Sequence, residues 1–233
     1  MSIEGGQNVF DFGFLGEYFN TFLKGVGVTL GISVITVFLG ILLGSILFFM
    51  KASKFHIWKV KPLKVIASIY VEVIRGTPML LQIMMVYSGS KLIFDIDISA
   101  FSAAIIAIGL NSAAYVSEIV RAGIEAVDKG QMEAARSLGM KKSTAMRLII
   151  IPQAVKNILP ALGNELVTVI KDSSMASVIG VGELMFSSKI VQGATYLSLE
   201  PLMVAAVFYF ILTFSLGRLM NYFERRMSVS DSH

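Results

Sequence analysis

Long uncharged runs alternate with short charged segments along this chain. Val26 to Met50 is 25 residues without a charge, and Ile98 to Ser117 is 20. A helix needs roughly 20 mainly apolar residues to cross about 30 Å of hydrocarbon, so both runs read as membrane spans. Three interrupted segments join them. Val65 to Leu92 is broken by Glu72, Arg75 and Gly76-Thr77-Pro78. Asn157 to Lys171 carries Glu165, and Pro201 to Tyr222 is the last. The pattern predicts an all-α integral membrane protein with five transmembrane helices, at about 26–50, 65–92, 98–117, 157–171 and 201–222. Four or six spans are the alternatives. Ser173 to Gly182 is apolar over only ten residues, too short to cross, and reads as a re-entrant or surface helix. The first run is not a signal peptide: it is too long, and lysines follow it rather than precede it.

Composition agrees with the pattern. The hydrophobic fraction is 55% and the charged fraction 15%, with a mean hydropathy of +0.73. Soluble domains carry about 25% charged residues, and disordered chains need low hydrophobicity with high charge. There is no cysteine, and the two histidines, His56 and His233, are far apart. Thiolate and histidine metal sites are therefore not expected. A net charge of +4 and a pI near 9.2 raise the question of nucleic acid, but position answers it. Lys51, Lys54, Lys59, Lys61 and Lys64 follow the first span. Arg121, Lys129, Arg136, Lys141, Lys142, Arg147 and Lys156 follow the third, and Arg218, Arg225 and Arg226 mark the tail. In a five-span chain these segments share one side, which the positive-inside rule makes cytoplasmic. The N-terminus is then outside and the C-terminus cytoplasmic, and no nucleic-acid partner is needed. Segment 1–25 is external, and its crowded aromatics (Phe10, Phe12, Phe14, Tyr18, Phe19, Phe22) predict an interfacial helix and contact with lipid. Residues 26–226 form one transmembrane domain, and 227–233 a cytoplasmic tail.

The segment 121–156 is too long for a plain connection. Gln131 to Leu138 is rich in helix formers, and Gly139 is placed to end that helix in a left-handed cap. Met132, Ala135 and Leu138 share one face, and a second helical stretch ends at Pro152. By physics alone this is a short amphipathic helix at the cytoplasmic side, a spacer or a docking element. The spacing says more. Glu133-Ala134-Ala135, three residues, Gly139, nine residues, Ile149, one residue, Ile151-Pro152 resembles the EAA signature of ABC importer permease subunits. Ile151 stands where that pattern usually has leucine. Glu72 to Pro78, Gly109 to Tyr115, Leu162-Gly163-Asn164-Glu165 and Lys171-Asp172-Ser173-Ser174 are similar to the polar amino-acid branch of that family, which includes histidine, glutamine, glutamate, arginine and opine permeases.

The resemblance implies a type I ABC importer permease fold in a bacterial cytoplasmic membrane. It implies that Glu133, Ala134, Ala135, Gly139, Ile149 and Pro152 couple to a dimer of separate ABC ATPase subunits. It further implies a second permease chain, identical or homologous, an external substrate-binding protein and a polar amino-acid substrate. No P-loop is present: Lys142-Ser143 is preceded by Lys141 where glycine is required. ATP and magnesium would then belong to the ATPase, with no cofactor in this chain and no catalytic residue.

Charges inside spans point to the path, because each costs roughly 2.5–3.5 kcal/mol at the membrane centre. Glu72 and Arg75 are three apart, so they either pair with each other or leave Arg75 to meet a substrate carboxylate. Gly76, Thr77 and Pro78 predict a helix break whose freed backbone lines a cavity or finds partners. Asn111 and Tyr115 share a face, for a substrate or for helix packing. Glu118 lies at an interface or in the path. Glu165, with Asn164 beside it, meets a cationic group of the substrate or a basic residue of another span. The segment after Lys171 forms a gate or a surface turn. Gly27 with Gly31, and Gly40 with Gly44, offer close helix packing, including between chains. The expected function is an ATP-driven importer permease for polar, and by its acidic residues basic, amino acids. An ion-gradient transporter using the intramembrane glutamates is the rival. It leaves the EAA-like segment without a purpose.

Overall fold

The computed structural model describes residues 10–53, 55–56 and 60–229, with side chains to 226. Residues 1–9, Lys54, Lys59 and the end of the tail, His233 included, lie outside the described residues. The described elements are helical: α1 (Leu15–Ala52), α2 (Pro62–Arg75), α3 (Met79–Phe94), α4 (Ala100–Glu125), α5 (Lys129–Ser137), α6 (Lys142–Ala145), α7 (Ile151–Asp172), α8 (Leu184–Thr195) and α9 (Glu200–Val229). A π-helical turn, Met146–Ile150, joins α6 to α7, and a 3₁₀ turn, Ser173–Ile179, extends α7. Among the described residues, α1, α4, the α6–α7 stretch and α9 are long and apolar enough to cross a membrane, and α2 with α3 pass the same test only together, as a bent pair that is either a broken fifth span or a re-entrant loop.

No proline interrupts Leu15 to Ala52, so the first helix runs 38 residues, about 57 Å at 1.5 Å per residue. The aromatic stretch before the first span is the start of α1 itself, continuous with the span. Its aromatics divide their duties. Phe22 is fully buried, in a cluster with Leu184 of α8 and Ala205 of α9, and stacks on Phe208 at 6.0 Å. Phe10, Phe12 and Phe19 stay exposed.

α4 is the central helix, against α1, α2, α3 and α7. Its buried face is built from small residues, including Ala103, Ala104, Ala107, Ser112, Ala113 and Ala114, which let neighbours approach closely. Two glycines of α1 use that space. A Cβ on Gly40 would lie 2.6 Å from Ser112 Oγ, and one on Gly44 would lie 2.8 Å from the Ala113 carbonyl. This pair is consumed inside the chain, whereas Gly27 and Gly31 have nothing within 4 Å.

The expected break at Gly76-Thr77-Pro78 is present, and it divides 65–92 into two helices bent by 108°. Pro78 has no N–H to donate and favours extended backbone before it. Past the span, α4 continues from Ser117 to Glu125 instead of yielding to a loop. Pro152 does not end a helix; it sits in the first turn of α7. There the preceding π-turn has already widened the ladder, with Ile151 N–H bonding to the Met146 carbonyl. Ser173–Ile179 is no surface helix, since Ser173, Ala176 and Ser177 are buried.

Candidate functional site

The broken span brings most of the expected path residues together. α2 ends at Arg75, and Gly76 N–H still bonds to the Glu72 carbonyl at 2.9 Å. The last carbonyls of α2 would be orphaned by the break. Thr77 Oγ1 donates to the Val73 carbonyl at 2.9 Å. Gln82, from the first turn of α3, donates through Nε2 to the Ile74 carbonyl at 2.7 Å and the Thr77 carbonyl at 3.1 Å. The same amide accepts through Oε1 from Asn111 Nδ2 at 3.0 Å. One turn along α4 from Asn111, the Tyr115 ring carries the Arg75 guanidinium 5.2 Å from its centroid, a cation–π contact. Tyr70 OH donates to the Leu110 carbonyl at 2.8 Å. The elbow therefore rests on one side of α4 from Leu110 to Tyr115.

The Glu72–Arg75 ion pair is not formed; among the described residues no salt bridge joins them, and both are exposed. Arg75 turns to Tyr115 instead, which leaves the Glu72 carboxylate free to face outward from α2.

Glu165, on α7, meets α4 at Ser112, the residue after Asn111. It is 8% exposed, and its Oε1 accepts from Ser112 Oγ at 2.8 Å. Among the described residues it joins no ion pair, so the expected basic partner from another span is not there. Asn164 next to it is exposed. Glu118 is engaged already. Lys51 Nζ stands 2.6 Å from its Oε1, and Arg121 lies 2.9 Å from its Oε2 and 2.5 Å from Glu125. This network clamps the end of α1 to the end of α4 and pairs each Glu118 oxygen with a basic side chain.

The α5 segment has the caps that its sequence promised. Asp128 accepts from Gly130 N–H at 2.7 Å, satisfying a first-turn donor. Gly139 adopts φ +81°. Its N–H bonds to the Arg136 carbonyl, and Met140 N–H to the Ala135 carbonyl; this pair of bonds is the Schellman cap. Ala135 is buried and Met132 packs beside Val127 and Ile150, but Leu138 leaves the expected face and is 84% exposed, because it is the capping residue where the helix unwinds. Glu133, Ala134 and Arg136 are exposed too. Ile149 is half-buried in the π-turn, and Pro152 is exposed. A cavity of about 660 Å³ lies behind α5, lined by Glu125, Asp128, Lys129, Met132, Lys142 and Met146 among others.

Two buried polar centres escaped the sequence reading. Gln82 looked like an ordinary residue of a span, although its distance of four from Pro78 puts it within reach of the break. Glu183 caps α8. It is fully buried and accepts from Met185 N–H at 2.9 Å, Phe186 N–H at 2.7 Å and Tyr209 OH at 2.7 Å. Burial pushes its carboxyl up from the ordinary range, against the pull of these hydrogen bonds. Beside it, Leu184 N–H donates to Thr29 Oγ1. α8 is thus fastened to both α1 and α9 through one buried face, with Leu184, Ser187, Ser188 and Val191 inside, and is more than a plain surface turn.

Comparison with known proteins follows the same outline. Residues 36–229 match the model of the binding-protein-dependent transport system inner membrane component family. The chain is 44% identical over 209 residues to the arginine transport system permease protein ArtQ of Bacillus subtilis, covering 90% of this chain and 93% of that one. It is 36% identical over 208 residues to the glutamine transport system permease protein GlnP of Escherichia coli, covering 89% and 93%. A chain of a solved amino acid ABC transporter, crystallised with histidines, superposes with a TM-score of 0.88 at 46% identity, covering 94% of this chain and 99% of that one. The inward-facing MetNI methionine transporter shares the fold at a TM-score of 0.74 and 18% identity, covering 94% and 99%. With a family match over most of its length and relatives above one-third identity, the chain belongs to the inner membrane components of binding-protein-dependent transport systems.

Proposed function

We propose that this chain is the permease subunit of an ATP-driven importer for polar amino acids, with a preference for basic ones. The observation that carries the preference is Glu165, a buried carboxylate that among the described residues accepts one side-chain hydrogen bond, from the neutral Ser112 hydroxyl. A buried carboxylate is costly without a cationic or hydrogen-bonding partner, and a substrate ammonium or guanidinium supplies one. Arg75, resting on Tyr115 of α4, offers the opposite charge for a substrate carboxylate. Asn111, Tyr115 and Thr77 supply neutral polar contacts between them. The names of the arginine and glutamine relatives agree with a polar amino acid.

In this reading the exposed face of α5, with Glu133, Ala134 and Leu138, docks on a separate ATPase, which binds ATP and magnesium. Gly139, Ile149 and Pro152 fix the link from α5 to α7, so that movement of the docked helix reaches Glu165. A second permease chain completes the path, and an external binding protein delivers the substrate. The basic segments, including Lys51, Arg121 and the residues of α5 and α6, face the cytoplasm, which places the N-terminus outside and the C-terminus inside.

The test is uptake by proteoliposomes holding the permease with its co-purified ATPase and binding protein. Arginine, lysine, histidine, glutamine and glutamate are supplied as labelled substrates. ATP-dependent uptake of the basic members above glutamate supports the assignment. Uptake that runs on an ion gradient without ATP defeats it.

A further inference from the structure

The elbow between α2 and α3 is held in a way that its break alone does not require. Proline frees the last carbonyls of α2, and any nearby donor, water included, would satisfy them. Here Gly76 N–H and the Thr77 hydroxyl take the Glu72 and Val73 carbonyls, and a buried amide takes those of Ile74 and Thr77 from inside the protein. Gln82 is 8% exposed and Asn111 is 7% exposed. The Nε2 group of Gln82 reaches the Ile74 carbonyl at 2.7 Å, the Thr77 carbonyl at 3.1 Å and Thr77 Oγ1 at 2.8 Å. Its Oε1 takes the Asn111 amide at 3.0 Å. The side chain thus bridges three elements: the end of α2, the Thr77 turn and the middle of α4. An amide suits this position because it donates on one side and accepts on the other. A carboxylate has no donor, and an apolar isostere would leave buried carbonyls and the Asn111 amide unmatched.

We propose that Gln82 is the latch that sets the α2–α3 elbow on α4, and that it thereby positions Arg75 and Asn111 in the translocation path. The argument is geometric. Arg75 sits at the last turn before the break, and Tyr115 is the surface on which its guanidinium rests. Asn111 lies one turn before Tyr115 on the same side of α4. Its amide is oriented by Gln82, so that its own carbonyl oxygen is directed elsewhere. If the latch opens, the 108° bend loses the link that ties it to Asn111, and both polar groups lose their fixed relation. Gln82 touches neither reacting atoms nor an exposed surface; it acts through these neighbours and is a positioning residue. The inference rests on the reading of this region as the substrate path, but the latch itself is tested without transport.

The chain has no cysteine, so spin labels can be placed at chosen positions. Ile66 of α2 and Met85 of α3 are both exposed and stand on the two arms of the elbow. The full transporter, permease with its ATPase, is placed in nanodiscs. Labelled chains are diluted with unlabelled ones so that only distances within one chain register. The unaltered elbow is expected to give one narrow distance. Gln82→Leu and Asn111→Leu are each expected to broaden or displace it, and the double variant to do no more than either alone. Coupled uptake in Gln82→Leu is expected to fall at least tenfold. A narrow, unshifted distance in both single variants overturns the latch, as does uptake at the unaltered level in Gln82→Leu. Should Gln82→Leu fail to reach the membrane, Asn111→Leu decides, because it leaves the caps on the α2 carbonyls in place. A labelled parent that takes up no amino acid defeats the transport reading, while the distances still judge the latch.

Discussion

At Glu165, burial and chemistry pull in opposite directions. The side chain is 8% exposed and receives one hydrogen bond, from Ser112 at 2.8 Å. A stabilising role would call for more donors or an ion pair, as Glu183 shows with its three hydrogen bonds. The two carboxylates therefore differ in kind: Glu183 is saturated and Glu165 is not. Glu165→Gln keeps the size and one acceptor for Ser112 but removes the charge. Hydrogen bonds to charged groups contribute about 1.5–3 kcal/mol, and each 1.4 kcal/mol is tenfold in affinity. Uptake of arginine or lysine should fall roughly 10- to 100-fold by that reckoning. Uptake of glutamine should change little, and recovery of the assembled complex should be normal. Competition assays that compare the two classes check this. An equal loss for charged and neutral substrates would make Glu165 a structural residue. The sequence marked Glu165 as a charge in a span but offered no way to find Ser112, which lies 53 residues away and comes near through the packing of α7 on α4.

Among the elements, helix contacts are set by where side chains are absent. Gly25 faces α8, and a Cβ there would lie 2.4 Å from Ser187 Oγ and 2.9 Å from Leu184 Cα. The second of these is backbone and cannot swing aside. Overpacking of this type costs about 1–3 kcal/mol. Gly27, two residues on, meets nothing within 4 Å, and alanine is favoured over glycine by roughly 0.5–1 kcal/mol inside a helix. Gly25→Ala should therefore lower the melting temperature of the purified complex, while Gly27→Ala should leave it unchanged or raise it. A matched loss at Gly27 would mean that this face is also packed in the assembly, against a second chain. The α5 helix carries its own prediction. Its caps at Asp128 and Gly139 do not depend on Glu133, whose side chain is exposed. Glu133→Arg should leave the helix and membrane insertion intact, and should separate ATP hydrolysis from uptake if this face meets the ATPase. Measuring both rates in the same vesicles decides it: coupled uptake at the unaltered level would remove α5 from the ATPase contact.

Across the whole molecule, the sequence was legible where a local rule sufficed. Uncharged runs marked α1 and α4, Gly139 marked the end of α5, and Gly76-Thr77-Pro78 marked a break. It was opaque where the outcome depended on a distant partner. Nothing near Arg75 showed that it would choose Tyr115 over Glu72, and nothing near Glu118 showed that Lys51 would reach it. The exact start of α1 was not legible, because aromatic crowding signals an interface without fixing where a helix begins. α8 was missed because its twelve residues are too few for a span and its cap, Glu183, looked like an external charge. The two ends of the bundle supply the remaining prediction. α5 adjoins α6 and the π-turn at the start of α7, whereas α8 adjoins the 3₁₀ turn at its end. α7 has 22 residues, about 33 Å of helix, enough to separate the two across the hydrocarbon core. Leu138, beside the first end, is 84% exposed, and Tyr196, at the end of α8, is 91% exposed. With no native cysteine to remove, Leu138→Cys and Tyr196→Cys can be probed singly with a membrane-impermeant maleimide. In intact spheroplasts Tyr196→Cys should label and Leu138→Cys should not; in inside-out vesicles of cells that make the permease without its ATPase, which would otherwise cover Leu138, the order should reverse. Labelling of Leu138→Cys from outside would invert the orientation, and α5 would then face away from any ATPase that draws on cytoplasmic ATP.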